Sequence, residues 1–124
     1  MDKSISCNLT RSVFYVCPRC GNVVHSAFEG EFCCCGEKVS PLTAAACDEA
    51  HLPHLEAVED ETYVTIPHDM TKAHYISFLC YVTGDRMELI KLYPEGNAEA
   101  RFHMRGHGFL YLYCTKHGLM KITV

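Results

Sequence analysis

Two cysteine clusters stand out first. Cys17-Pro18-Arg19-Cys20-Gly21 is followed about a dozen residues on by Cys33-Cys34-Cys35-Gly36. A Cys-x-x-Cys turn offers two thiolates to one ion, and the glycine after it lets the backbone fold tightly beneath them. A second cluster closed by glycine completes a tetrahedral sulfur site, which suits iron and zinc alike. Three cysteines compete there for two places; if Cys34 and Cys35 are the ligands, Cys33 is spare. Buried free thiols or a redox pair would not require two glycine-closed clusters, so metal binding is the better reading.

A second constellation is scattered over the rest of the chain. Its segments are Glu49-Ala50-His51, His68-Asp69-Met70, His74 and Cys114-Thr115-Lys116-His117-Gly118. Each falls in an expected loop or at an expected strand end, where a rigid scaffold can aim side chains at one point. Four imidazoles and a thiolate exceed the four ligands of a closed structural zinc site. Five protein ligands on an octahedral metal leave one position open, as a reactive iron site requires. His25, His54, His103 and His107 read as surface or hydrogen-bonded side chains.

The elements that must hold these groups read as strands. Residues 63–66 are β-branched and aromatic. Residues 75–82 form a nearly unbroken apolar run, as in a strand buried on both faces. Residues 87–93, 98–103, 109–114 and 119–124 complete the set, with turn signals at Thr83-Gly84-Asp85 and Pro94-Glu95-Gly96-Asn97. Short strands at such spacing predict an antiparallel sandwich or barrel. The organisation expected is a loose arm over 1–13, the cysteine knuckle over 14–42 and a β domain over 43–124. The stretch 43–50 reads as a linker or short helical turn.

The chain has 124 residues, 48% of them hydrophobic, and a net charge of -4. That charge gives no sign of a nucleic-acid partner, and no apolar run approaches a membrane span. The first ten residues lack a signal peptide's apolar core, so an intracellular, cytoplasmic location is expected. Nine cysteines, an odd number, in a reducing compartment favour metal binding over a disulfide framework.

From about Phe14 to Val124 the chain resembles the desulfoferrodoxin and superoxide reductase family. Cys17, Cys20, Gly21 and Asn22, then Cys34, Cys35 and Gly36, match the rubredoxin- or desulforedoxin-like knuckle, leaving Cys33 as the extra. Glu49-Ala50-His51-Leu52-Pro53 stands where the family has Glu-Lys-His-Val-Pro. His68-Asp69-Met70 with His74-Tyr75-Ile76, and Cys114 to Gly118, match its other motifs. The resemblance implies an all-β fold, the small knuckle followed by an immunoglobulin-like β-sandwich. It implies one-electron reduction of superoxide to hydrogen peroxide at a mononuclear non-haem iron. His51, His68, His74 and His117 would be equatorial ligands and Cys114 the axial thiolate. Glu49 would fill the open position in the oxidised resting state. Cys17, Cys20, Cys34 and Cys35 would hold iron or zinc. A rubredoxin-like electron donor and a homodimer contact through the N-terminal part are also implied.

Two positions depart from the family pattern. Ala50 replaces a lysine that helps attract superoxide, and Lys72 or Lys116 is the expected substitute. Asp69 replaces a proline and adds negative charge. These departures motivate one alternative, a metal-binding or redox-sensing protein of the same fold without turnover. A second alternative, an electron carrier working through the knuckle with the β domain as scaffold, is opposed by the intact His51, His68, His74, Cys114 and His117.

Overall fold

The computed structural model describes residues 8–124. Residues 1–7, most of the expected arm, lie outside the described residues. The rest of that arm carries regular structure. A 3-10 turn spans Leu9–Arg11, capped by the Asn8 side chain, which accepts from the Thr10 N–H at 2.9 Å. The chain forms two compact units with the break between Thr43 and Ala44.

The first unit consists of two small hairpins. Strand β1 (Val13–Val16) pairs antiparallel with β2 (Val23–Ser26), and β3 (Phe32–Cys34) with β4 (Glu37–Val39). Strands of three or four residues are too short for side-chain alternation to register in the sequence. Tyr15, Cys17 and Val39 are its buried centre, and the Phe32 ring packs 4.7 Å from that of Tyr15. The Tyr15 hydroxyl donates to the Gly30 carbonyl and accepts from its N–H, both at 3.1 Å, so the buried phenol is satisfied.

The second unit is a β-sandwich. One sheet has the order β10 (Glu99–Phe102), β7 (Glu61–Thr65), β6 (His54–Val58). The other runs β5 (Ala45–Ala46), β12 (Gly118–Thr123), β11 (Phe109–Cys114), β8 (Ile76–Val82), β9 (Met87–Lys91). Val64 and Phe102 from the first sheet meet Leu79, Leu110, Leu112 and Met120 from the second in one buried core. Two strands are absent from the sequence reading. Strand β6 is a mostly exposed edge without an apolar face. The two alanines of β5 pair parallel to β12, so the sandwich is not wholly antiparallel. After them a 3-10 turn, Glu49–His51, fulfils the short-turn expectation.

All seven residues of β8 are buried, as the apolar run implied. Its pairing with β11 contains a bulge: Tyr113 faces Phe78, but Cys114 faces Ile76, leaving Ser77 as the extra residue. A bulge changes which face the following side chains occupy. Ile76 thereby joins Leu79 and Tyr81 in the sandwich core, and Cys114 continues the buried row of Leu110 and Leu112. The bulged residue is well satisfied. The Ser77 carbonyl accepts from the Leu92 N–H at 2.9 Å and from Lys91 Nζ at 2.7 Å, and its hydroxyl lies 2.8 Å from the same ammonium.

Candidate metal centres

In the first unit Cys17, Cys20, Cys34 and Cys35 each turn a sulfur to one point, the four atoms lying within 4.8 Å of one another. The two pairs come from two tight turns. Gly21 takes φ +74° after the first pair, and its N–H donates to the Cys17 carbonyl at 2.9 Å. Cys35 and Gly36 form the two-residue connection between β3 and β4, with φ of 54° and 75°. A two-residue hairpin turn with both central residues at positive φ tightly reverses twisted strands. For a non-glycine residue this conformation costs about 1–2 kcal/mol. Cys35 accepts that cost where it brings its thiol beside Cys34.

Strand alternation separates the three consecutive cysteines. Phe32 and Cys34 pack toward the unit's core, while Cys33 between them is exposed. Cys33 is outside the converging group. The Asn22 amide, noted in the sequence only as a motif match, donates to Cys34 Sγ at 3.8 Å. Electrostatics differ within the group. Backbone N–H donation from Cys20 and then Arg19 lowers the Cys17 thiol to about 7. Hydrogen bonding with Cys20, then Cys17, pushes Cys35 up to about 12.

In the second unit the structure brings together His51, His68, His74, Cys114 and His117, with one donor atom of each within 4.8 Å of the others. The four imidazoles close a ring. Centroids lie 4.9 Å apart for His51–His68, 4.5 Å for His68–His74, 5.1 Å for His74–His117 and 4.9 Å for His117–His51. Cys114 Sγ lies 3.1 Å from His74 Nε2, 3.3 Å from His117 Nδ1 and 3.6 Å from His68 Nε2. Cys114 and His51 are buried, His68 and His74 half-buried and His117 exposed, so the cluster has a floor and a mouth.

Each donor is held by its own local device. Cys114 ends β11, and the turn Thr115-Lys116-His117 returns to β12 through Gly118 at φ +87°, a conformation that favours glycine. The loop carrying His68 and His74 is pinned in three places. Its Met70 carbonyl accepts from the Glu95 N–H at 2.5 Å, and Thr71 and His74 exchange backbone hydrogen bonds at 3.0 and 3.1 Å. Tyr75 is tied to Thr115 in both directions: its N–H donates to Thr115 Oγ1 at 3.1 Å, and its carbonyl accepts from the Thr115 N–H at 3.0 Å. His68 Nδ1 donates to the Asp69 carbonyl at 2.6 Å. Burial, then the neighbouring His68, His117 and Lys116, lower the His74 pKa and favour the neutral imidazole a metal needs.

Glu49, Lys72 and Lys116 are not among the converging donors. Glu49 is exposed on the 3-10 turn, and its carboxylate is not among the converging atoms. Lys72 lies 4.0 Å from Glu95, both side chains exposed, whereas Lys116 is exposed in the turn between two donors, and its charge is among the causes that lower the His74 pKa. Asp48 was missed. Its carboxylate accepts from His51 Nδ1 at 2.5 Å.

The donor set can be tested against a metal. His51 is 2% exposed, and its Nε2 is buried with no hydrogen-bond partner. Such an orphan costs about 1–3 kcal/mol unless something takes its lone pair. A cation among four imidazoles and a thiolate does so. The nitrogen–sulfur donor set fits iron, and the four thiolates of the first unit fit iron or zinc.

Fold and donor sets together define a small two-centre metalloprotein. No protein-family model matches the chain. It is 34% identical over 90 residues to the desulfoferrodoxin of Clostridium acetobutylicum, covering 70% of this chain and 72% of that one. It is 31% identical over 117 residues to the desulfoferrodoxin of Nitratidesulfovibrio vulgaris, covering 86% and 92%. The chain belongs to the desulfoferrodoxin family. Its fold matches the superoxide reductase structure from Treponema pallidum, with a TM-score of 0.78 at 22% identity over 90% of this chain and 96% of that one.

Proposed function

We propose that the chain is a superoxide reductase, with His51, His68, His74, His117 and Cys114 holding a mononuclear iron. The observation that carries this reading is the convergence of four imidazoles and one thiol, with His51 Nε2 buried and unpartnered among them. Iron, when bound, supplies the one electron that, with two protons, converts superoxide to hydrogen peroxide.

The protein's own contribution follows from where each group lies. Cys114 is buried at the floor, where its sulfur is shielded from water and donates electron density. The exposed His117 side is the way in for a small anion and for protons from solvent. Ala50, also exposed, brings no charge to that side, so Lys116 supplies the nearby positive field. Glu49 lies on the same turn as His51, and by the family resemblance its carboxylate would fill the open position in the oxidised resting state.

Cys17, Cys20, Cys34 and Cys35 hold the second metal, iron or zinc, in a supporting role. By the family resemblance the electron donor is a small rubredoxin-like iron protein and the chain forms a homodimer. We place it in the reducing cytoplasm, where both sets of thiols stay available to metal. Among the described residues no helix is long and apolar enough to cross a membrane.

The test is metal analysis and visible spectroscopy of the protein expressed in iron-rich medium. A thiolate-to-iron band that a reductant bleaches and superoxide restores, with one peroxide formed per superoxide, supports the reading. Zinc in both centres of protein grown with ample iron, or an iron protein that yields no peroxide, refutes it.

A further inference from the structure

We infer that Asp48 is a positioning residue of the second centre. Its carboxylate fixes His51 in the tautomer that turns Nε2 toward the metal, and it adds a negative charge to the donor set. The inference rests on reading the five converging side chains as metal ligands.

Asp48 occupies the N-cap of the 3-10 turn Glu49–His51. An aspartate there ordinarily spends its carboxylate on a free backbone N–H of the turn. Asp48 makes no such side-chain cap bond. The His51 N–H goes instead to the Asp48 backbone carbonyl at 3.1 Å. This frees the carboxylate, which accepts from the His51 ring at Nδ1, 2.5 Å away. An ionised carboxylate can only accept, so Nδ1 carries the proton and Nε2 the lone pair. That Nε2 is the buried atom without a partner.

His68 provides the contrast. Its Nδ1 donates to a neutral backbone carbonyl at 2.6 Å. Of the four converging imidazoles, His51 is the one held by a side-chain carboxylate, which makes its imidazole the stronger donor and favours the more oxidised metal. The Asp48 side chain is 58% exposed. Water can therefore partly replace it, and the expected loss sits near tenfold, the low end for partners of this kind.

The experiment uses the full chain as wild type, Asp48→Ala and Asp48→Asn. Cobalt(II) is titrated into metal-free protein against a chelator, and the reduction potential is measured on the iron-loaded forms. Asp48→Ala should weaken cobalt at this centre about tenfold and raise the potential. Asp48→Asn keeps an acceptor for Nδ1 but no charge, so it should recover most of the affinity while the potential stays raised. A role in folding alone would not split the two readouts. Cobalt bands of the four-cysteine unit, unchanged in all three, serve as the internal control. The inference is overturned if both variants match wild type in affinity and potential, or if Asn is as defective as Ala with equally lowered apo-protein melting. A wild type that takes up no cobalt here overturns it together with the proposed function. A wild type that binds cobalt in an Asp48-dependent way but reduces no superoxide sinks only the activity.

Discussion

The two centres solve one problem, holding several donors at a point, from opposite directions. In the first unit the donors come from two tight turns, and among the described residues Tyr15, Cys17 and Val39 form a small buried cluster. In the second they come from four separate segments, and a cluster of twelve buried residues holds those segments in place. A site made of local turns needs little scaffold but leaves its unit dependent on the metal. A site assembled from distant segments needs a core that is stable beforehand. A unit of about 40 residues rarely buries enough surface to fold without a staple.

The largest expected effect separates the units on that ground. A strong chelator applied under anaerobic conditions should unfold the first unit and leave the sandwich folded, because small metal-stapled units commonly couple folding to binding. Hydrogen exchange should then lose protection at Tyr15 and Val39 while Leu79 and Leu112 stay protected. Protection retained in the first unit, or lost in both, would break the comparison. Metal uptake by the first unit should also be steeply pH-dependent. Cys35 is pushed up to about 12, chiefly by hydrogen bonding with Cys20, and Cys34 is raised by the same partner. Both thiols are thus protonated near neutral pH and must release protons to bind, so affinity rises with pH. Two displaced protons give up to roughly a hundredfold per pH unit, measurable by chelator competition at two pH values.

A smaller effect tests whether the second centre depends on its scaffold at a distance. Lys91 donates to the carbonyl and hydroxyl of the bulged Ser77, and that bulge is what places Cys114 opposite Ile76. Lys91→Met removes both bonds but leaves the Leu92 N–H on the same carbonyl. The loss should be about 1 kcal/mol, or about 4–8 °C in the sandwich's melting temperature. The thiolate-to-metal band should shift with it, while the four-cysteine centre is untouched. An unchanged band would show that the bulge does not need its lysine.

How far the sequence could be read follows the same division. Strands β8 and β11 were visible because long apolar runs leave a strong signal, and β11 matches the expected 109–114. The five donors of the second centre were visible as types and motifs. What aims them was not. The bulge at Ser77 is one residue of pairing offset between strands far apart in sequence. Asp48 looks like an ordinary turn-starting aspartate until the backbone carbonyl is seen to serve the His51 N–H. Strand β6 lacks an apolar face, and β5 is two alanines. In the first unit, three consecutive cysteines were ambiguous because alternation and turn geometry, not residue type, exclude Cys33.

The smallest effects concern charge at the mouth of the second centre. Lys116 is exposed in the turn between Cys114 and His117, whereas Lys72 has Glu95 at 4.0 Å. Lys116→Ala should therefore slow superoxide reduction a few-fold at low salt and flatten its dependence on ionic strength, since a surface charge steers an anion only within about a Debye length. Lys72→Ala should do less, because the pair is already nearly neutral. Equal effects from the two would remove the case for Lys116. The sharper form adds a charge in place of removing one. Ala50 is exposed on the turn that carries His51, so Ala50→Lys meets open solvent and should raise the rate. The gain should be larger when Lys116 is already alanine, because one charge then does the work the other had done. A gain of the same size in both backgrounds would mean that the two positions act independently and that Lys116 does not stand in for a lysine at position 50.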